Sequence, residues 1–124
     1  MASRPVRLML LLLAAGYWCL LFTATHWPRL NVPLRGGDKF AHGAGYFGLA
    51  LAVLAVVFCF VRPRWPHFLA IFVALACYGA LDEATQLLVP GRSADVLDWL
   101  ADLGGAAMGI VAGILMTRGM RPTG

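Results

Sequence analysis

Four apolar stretches of about 20 residues each constrain the fold of this chain more than any other feature. They run over residues 6–24, 40–61, 68–89 and 96–116. A helix rises about 1.5 Å per residue, so each stretch is long enough to cross the hydrocarbon core of a bilayer. Such runs are too long for buried strands. The sequence therefore predicts an all-α, integral membrane four-helix bundle that forms a single domain over residues 1–124.

The composition supports a membrane protein and argues against other classes. Hydrophobic residues make up 60% and charged residues 13% of the chain, whereas soluble domains have about half and about a quarter. The net charge is +4, but its basic residues stand in short clusters beside apolar stretches, which is typical of a topology signal. We therefore expect membrane lipids, and no nucleic acid, as partners. The three cysteines are scattered and indicate no disulfide framework.

The first stretch has two interpretations. Arg4 and Arg7 precede an apolar run, and small residues follow it at 23–25, as in a signal peptide. The run is long, however, and leads into Trp27, a residue type that anchors helices at the membrane interface. We favour a retained helix.

The short links predict how the later helices are arranged. Residues 62–66 and 90–94 give about five residues each, so helices two, three and four should form a chain of antiparallel hairpins. Basic residues near helix ends set the orientation, because they favour the cytoplasm. Six on one side against four on the other predict a multi-pass inner-membrane protein with both termini cytoplasmic. The six are Arg4, Arg7, Arg62, Arg64, Arg118 and Arg121, and the four are Arg29, Arg35, Lys39 and Arg92.

Ionisable and polar side chains gather at the outer ends of helices two, three and four. Within each helix they recur every three or four residues, which places them on one face. Charges inside a membrane are costly unless they are paired or wetted, so the group predicts a site. A stripe of Gly105, Gly109 and Gly113 continues the face of helix four and should contact the other helices. The candidate ligand-binding residues are Asp38, His42, Glu83, Gln86, Arg92, Asp95, Asp98 and Asp102.

Structural roles are the alternative for several of these residues. Asp95 fits the N-cap of helix four, and Asp98 would then complement the dipole in its first turn. Asp38 could cap helix two, and Arg92 could close the turn at residues 90–91 or touch lipid phosphate. Glu83 and Asp102 lie deepest, so a structural role explains them least well.

The same residues carry a family resemblance. The chain has Asp38-Lys39-Phe40-Ala41-His42, then Glu83-Ala84-Thr85-Gln86, then Pro90-Gly91-Arg92 and Asp98-x3-Asp102-x2-Gly105. Over about residues 36–115 this order resembles the VanZ-like membrane proteins. The resemblance implies a bacterial membrane protein, and founding members of the family are associated with low-level resistance to the glycopeptide teicoplanin. Asp102 departs from the family pattern, which usually has Asn there, so a role that needs a neutral amide is in doubt.

Three functions remain open at this point. The first is binding of an amphiphile at the outer face: a lipid, a lipid-linked envelope precursor or a glycopeptide, with a link to envelope or antibiotic tolerance. The second is a membrane enzyme that acts on a lipid-linked substrate through the Asp/Glu/His cluster. No recognised catalytic motif supports it, and we expect no cofactor or resident metal. The third, an ion-coupled carrier, is disfavoured because the ionisable residues within the predicted spans all lie in the outer half of the membrane. A homo-oligomer is compatible with each function.

Overall fold

The computed structural model describes residues 2–28 and 37–119, which form four helices and contain no strand. All four helices are long and apolar enough to cross a membrane, which confirms the predicted fold class. Arg29, Arg35 and Arg121, which contributed to the predicted orientation, lie outside the described residues. The helices are α1 (Arg4–Thr25), α2 (Gly37–Phe60), α3 (Trp65–Gln86) and α4 (Val96–Gly119).

Local sequence explains where α3 ends. The predicted end at Val89 is three residues too late, because the amides of residues 87–89 donate to carbonyls three residues earlier instead of four. Pro90 then disfavours helical geometry at Val89. The chain then turns back, with the Arg92 amide donating to the Val89 carbonyl at 3.1 Å. Gly91 has φ 78°, so Pro90 and Gly91 occupy the two central positions that a type II turn assigns to them.

The glycine stripe of α4 lies directly against α2, as the sequence predicted. A Cβ placed on Gly105 would run into the Gly43 backbone, and one on Gly109 would lie 2.6 Å from the Phe47 carbonyl oxygen. The two helices therefore pack almost backbone to backbone over this part of their length, an approach that only small residues allow.

The small residues of α2 do not all face α4. A Cβ on Gly48 would overlap the ring of Tyr17 in α1. The Tyr17 hydroxyl also donates to the Gly45 carbonyl at 2.8 Å. α1 therefore packs on this part of α2.

The order of packing differs from a simple chain of hairpins. The most extensive interface joins α2 to α4, whereas α2 and α3 touch only slightly despite their short link. The stripe at Gly105, Gly109 and Gly113 explains this, since it lets α4 sit closer to α2 than the larger side chains of α3 permit. On its other side α4 packs on α3, where the Trp99 indole donates to the Ala76 carbonyl at 3.0 Å.

This arrangement gives the bundle two unlike ends. The polar end holds the last turns of α1 and α3, the first turns of α2 and α4, and the turn at 89–92. The basic end lies opposite, where Arg62, Arg64 and Arg118 line one cavity and the Arg7 guanidinium lies 5.3 Å from the centre of the Phe60 ring.

Candidate functional site

His42 is the centre of the polar end. Its Nδ1 lies 3.0 Å from Asp102 Oδ1 and 3.8 Å from Glu83 Oε1, and its Nε2 lies 3.8 Å from Asp98 Oδ2. All four side chains are buried, and Asp102 is only 1% exposed. Helices α2, α3 and α4 thus each deliver at least one ionisable group to one point, as the sequence predicted.

Glu83 and Gln86 join this centre to the start of α4. Glu83 Oε2 accepts the Asp95 backbone amide at 2.9 Å, and Gln86 Nε2 lies 3.4 Å from Glu83 Oε1. Asp95 Oδ1 in turn accepts the Leu97 amide at 2.8 Å, which is the bond of an N-cap residue. The structural alternative for Asp95 is therefore confirmed, and Glu83 holds that cap in place.

Lys39 closes the outer side of the site. Its ammonium lies 2.9 Å from both Asp95 Oδ2 and Asp98 Oδ1. The side chains of Lys39 and Asp95 are about two-fifths exposed, at 42% and 40%, so they form the rim, whereas Asp98 is at 9%. The hydrogen bond from Lys39 holds the pKa of Asp95 below its ordinary value, and the Leu97 amide adds to that effect.

A second network surrounds Asp82, which is 2% exposed. Its Oδ1 accepts the Thr25 hydroxyl at 3.2 Å and the Tyr78 hydroxyl at 3.4 Å, and its Oδ2 accepts Gln86 Nε2 at 3.2 Å. His26 Nδ1 lies 3.7 Å from the same carboxylate. The network connects the end of α1 to the site through Gln86, which touches both Asp82 and Glu83.

Arg92 and Asp38 lie on the α1 side of His42. The Arg92 guanidinium donates to the Ala24 carbonyl at 3.0 Å and the Trp27 carbonyl at 3.1 Å. It thereby caps the end of α1, because the last carbonyls of a helix lack partners within the helix. Arg92 and Asp38 line a cavity of about 90 Å³ whose wall also includes His42 and Tyr46.

The site is strongly acidic. All six carboxylates of the chain lie here: Asp38, Asp82, Glu83, Asp95, Asp98 and Asp102. Two sets of three residues place ligand atoms within 4.8 Å of one another, and His42 belongs to both. One set adds Asp38 and Asp98, and the other adds Glu83 and Asp102. Such a group could hold a cation, share protons or bind an ammonium group.

Two apolar grooves begin at this site. One, of about 490 Å³ between α2 and α4, starts at Lys39 and Phe40 and is floored by glycine and alanine down to Met108. The other, of about 330 Å³ between α3 and α4, starts at Glu83 and Asp95 and passes Trp99. Each groove has charged residues at one end and apolar residues along the rest of its wall. Such a wall suits an acyl or prenyl chain.

Sequence reasoning found most of the site but not all of it. The structure brings together His42, Glu83, Gln86, Asp98 and Asp102, with Asp95 at the rim and Asp38 beside His42. Lys39 and Asp82 were visible as charged neighbours of predicted residues, and Tyr46 follows His42 by one helical turn. Thr25 and His26 gave no signal, because nothing in the sequence showed that the end of α1 reaches α3.

Comparison with known proteins agrees with the resemblance seen in the motifs. The model of a family described as VanZ/LLP1 matches residues 8–117, and so includes most of α1 as well as the residues of the site. No curated protein and no solved structure matches the chain. Since the family model covers most of its length and all four helices have the character of membrane spans, this multi-pass membrane protein belongs to the VanZ/LLP1 family.

Proposed function

We propose that this protein binds an amphiphile at its polar end and so contributes to envelope or antibiotic tolerance. The amphiphile is a membrane lipid, a lipid-linked envelope precursor or a glycopeptide with an acyl chain. One observation carries the proposal: the groove between α2 and α4 runs from Lys39 into an apolar lining of glycine, alanine, phenylalanine and methionine residues. A ligand with a polar head and an apolar chain matches both ends of that groove.

The charges of the polar end favour a head group that carries an ammonium group. Among the residues that the structure describes at this end, six carboxylates stand against Lys39 and Arg92 as permanent cations. Lys39 already contacts Asp95 and Asp98, and Arg92 already contacts the carbonyls that end α1. An incoming cation therefore meets an excess of negative charge, and complementary charge speeds association and selects partners.

The proposal places the polar end at the outer leaflet of a bacterial inner membrane. The argument is the bias of basic residues towards the opposite end, where Arg62, Arg64 and Arg118 lie together. A fluorescent reporter that fails to fold in the periplasm, fused after Gly124, should be bright in cells. A dark fusion at normal expression would reverse the orientation and move the polar end to the cytoplasmic side.

Blocking the groove tests the binding itself. Gly104 lines the groove, and a Cβ on it meets nothing within 4 Å, so Gly104→Leu should fill the groove and leave the fold intact. Gly16 in α1 has the same open space and lines neither groove, which makes Gly16→Leu the matched control. Native mass spectrometry of protein extracted from vesicles of phosphatidylethanolamine and phosphatidylglycerol should show bound lipid, with the amine-bearing lipid enriched.

Only the Gly104→Leu variant should lose bound lipid. Gly104→Leu should retain about tenfold less lipid than wild type, and Gly16→Leu should match wild type. Expression of the two variants in a deletion strain, followed by measurement of teicoplanin susceptibility, connects binding to tolerance. Equal lipid retention in all three proteins would contradict the proposal.

A membrane enzyme is the second candidate function, and the His42–Asp102 pair favours it. A carboxylate 3.0 Å from an imidazole nitrogen orients the ring and stabilises its charged form, as in general acid–base catalysis. Incubation of the purified protein with lipid phosphates and lipid-linked precursors would detect turnover. Turnover that Asp102→Asn abolishes would favour the enzyme over simple binding.

A further inference from the structure

We propose that His42, Glu83 and Asp102 form a binding site for one divalent transition-metal ion, of which Zn²⁺ is the best fit. The three side chains come from α2, α3 and α4, and all are buried. This site goes beyond amphiphile binding and does not depend on it. It also revises the sequence-based expectation that the protein holds no metal.

The distances fit a metal ion. A tetrahedral ion with bonds of about 2.1 Å holds its ligand atoms about 3.4 Å apart. His42 Nδ1 lies 3.0 Å from Asp102 Oδ1 and 3.8 Å from Glu83 Oε1, so these two separations bracket that value. Imidazole and carboxylate are ligands that Zn²⁺ accepts, and the fourth position would be open to water or to a ligand oxygen.

Two buried oxygen atoms provide independent support. Within residues 2–28 and 37–119, Tyr46 Oη and Asp102 Oδ2 are buried without a hydrogen-bond partner. Tyr46 is 1% exposed, and its hydroxyl lies in the field of Asp102, Asp82 and Glu83. A Cβ placed on Gly79 would lie 3.4 Å from Asp102 Oδ2 and 3.5 Å from the Tyr46 ring, so both residues border the same point.

A buried polar atom without a partner destabilises the folded protein. Neither His42, Gln86 nor any other described side chain satisfies them. A metal ion with its bound water would serve both if Asp102 coordinated the ion through Oδ2 as well as Oδ1, because Tyr46 would then contact the water.

The charges are also compatible with a divalent ion. Two buried carboxylates beside a neutral His42 need two compensating positive charges, which either protons or one divalent ion would supply. A divalent ion with neutral His42 balances the two carboxylates. The other set of three, with Asp38 and Asp98, is less suitable because the Lys39 ammonium lies 2.9 Å from Asp98 and would repel a cation.

The surroundings fix one proposed ligand and place a carboxylate near another. Glu83 accepts the Asp95 amide at 2.9 Å. Metal-bound histidines usually donate their second ring N–H to a carboxylate, and Asp98 Oδ2, at 3.8 Å from His42 Nε2, is near enough to do this after a small shift. His42 Nδ1 faces Asp102 and Glu83, the position that a ligand atom needs.

The test uses the full chain, purified in detergent with a histidine-free tag and stripped with a chelator. After dialysis against Zn²⁺, elemental analysis should find about one ion per chain, and the melting temperature should rise and fall again on chelation. Glu83→Gln and Asp102→Asn keep side-chain shape and remove charge, so each should weaken affinity about tenfold or more. Asp82→Asn is the matched control, because Asp82 is equally buried and outside the proposed site.

Two results would overturn the site. The first is wild-type protein that keeps no Zn²⁺, Mn²⁺ or Co²⁺ above the level of a His42→Gln variant. The second is equal loss of affinity in Asp82→Asn and Asp102→Asn, which would indicate a general charge effect. Visible absorption of the Co²⁺-loaded protein provides a second readout, and bands of a tetrahedral ion that disappear in Glu83→Gln would support the assignment.

Discussion

The two ends of the bundle use charge in opposite ways. At the polar end, four of the carboxylates are buried, and contacts with His42, with the Lys39 ammonium and with the Thr25 hydroxyl cross from one helix to another. At the basic end, Arg62, Arg64 and Arg118 are exposed, and their positive charge matches the topology signal of a membrane protein. Burial of charge is expensive, so the polar end has to stabilise its charges through contacts within the protein, whereas the basic end can leave its charges in water.

The largest difference in stability between the two ends should appear when a glycine at each end is replaced by alanine. Gly105→Ala places a Cβ against the Gly43 backbone beside the site, whereas Gly113→Ala meets only the flexible end of Leu54. Overpacking against backbone costs about 3 kcal/mol or more, and the cost near Leu54 should be much smaller. Thermal unfolding in detergent measures both, and Gly104→Ala, with open space around it, is the control. Equal destabilisation at residues 105 and 113 would mean that the ends are alike.

Removal of one charge at each end should give a smaller but still clear difference. Glu83→Leu leaves the Asp95 amide without its acceptor, at a cost of about 1–3 kcal/mol. Arg118→Gln changes an exposed side chain and should stay within about 0.5 kcal/mol. Chemical unfolding with matched detergent compares the two. A larger loss of unfolding free energy in Arg118→Gln than in Glu83→Leu would contradict the view that buried charges at the polar end matter more to stability than exposed charges at the basic end.

The smallest expected effect is a pH dependence confined to the polar end. Because Lys39 lowers the pKa of Asp95, this carboxylate stabilises the folded state above its ordinary pKa and loses that contribution as the pH falls through its folded value. Lys39→Gln should raise the Asp95 pKa towards its ordinary value. Carbon NMR of the labelled carboxyl group measures the midpoint in both proteins. An unchanged midpoint would show that the Leu97 amide, and not Lys39, sets it.

The parts of this structure that follow a regular period could be predicted from sequence. The length of the apolar stretches predicted four helices. The spacing of Asp98, Asp102 and Gly105 predicted that polar groups and close packing lie on one face of α4. Contacts that depend on tertiary placement could not be predicted. Nothing in the sequence indicated that Arg92 would cap α1 or that Thr25 would reach Asp82, because these pairs are more than 50 residues apart and follow no repeat.

The backbone contact between Gly43 and Gly105 has a consequence for selectivity. Gly43 follows His42 directly and Gly105 comes three residues after Asp102, so the pair at the centre of the site is anchored beside a contact that has no side-chain rotamers to adjust. The backbone positions of His42 and Asp102 are thus fixed when the helices assemble. If the proposed metal ion binds between them, a larger ion could be accommodated only by a change of these two side-chain rotamers or by separation of α2 from α4, so the bundle would limit the size of the ion.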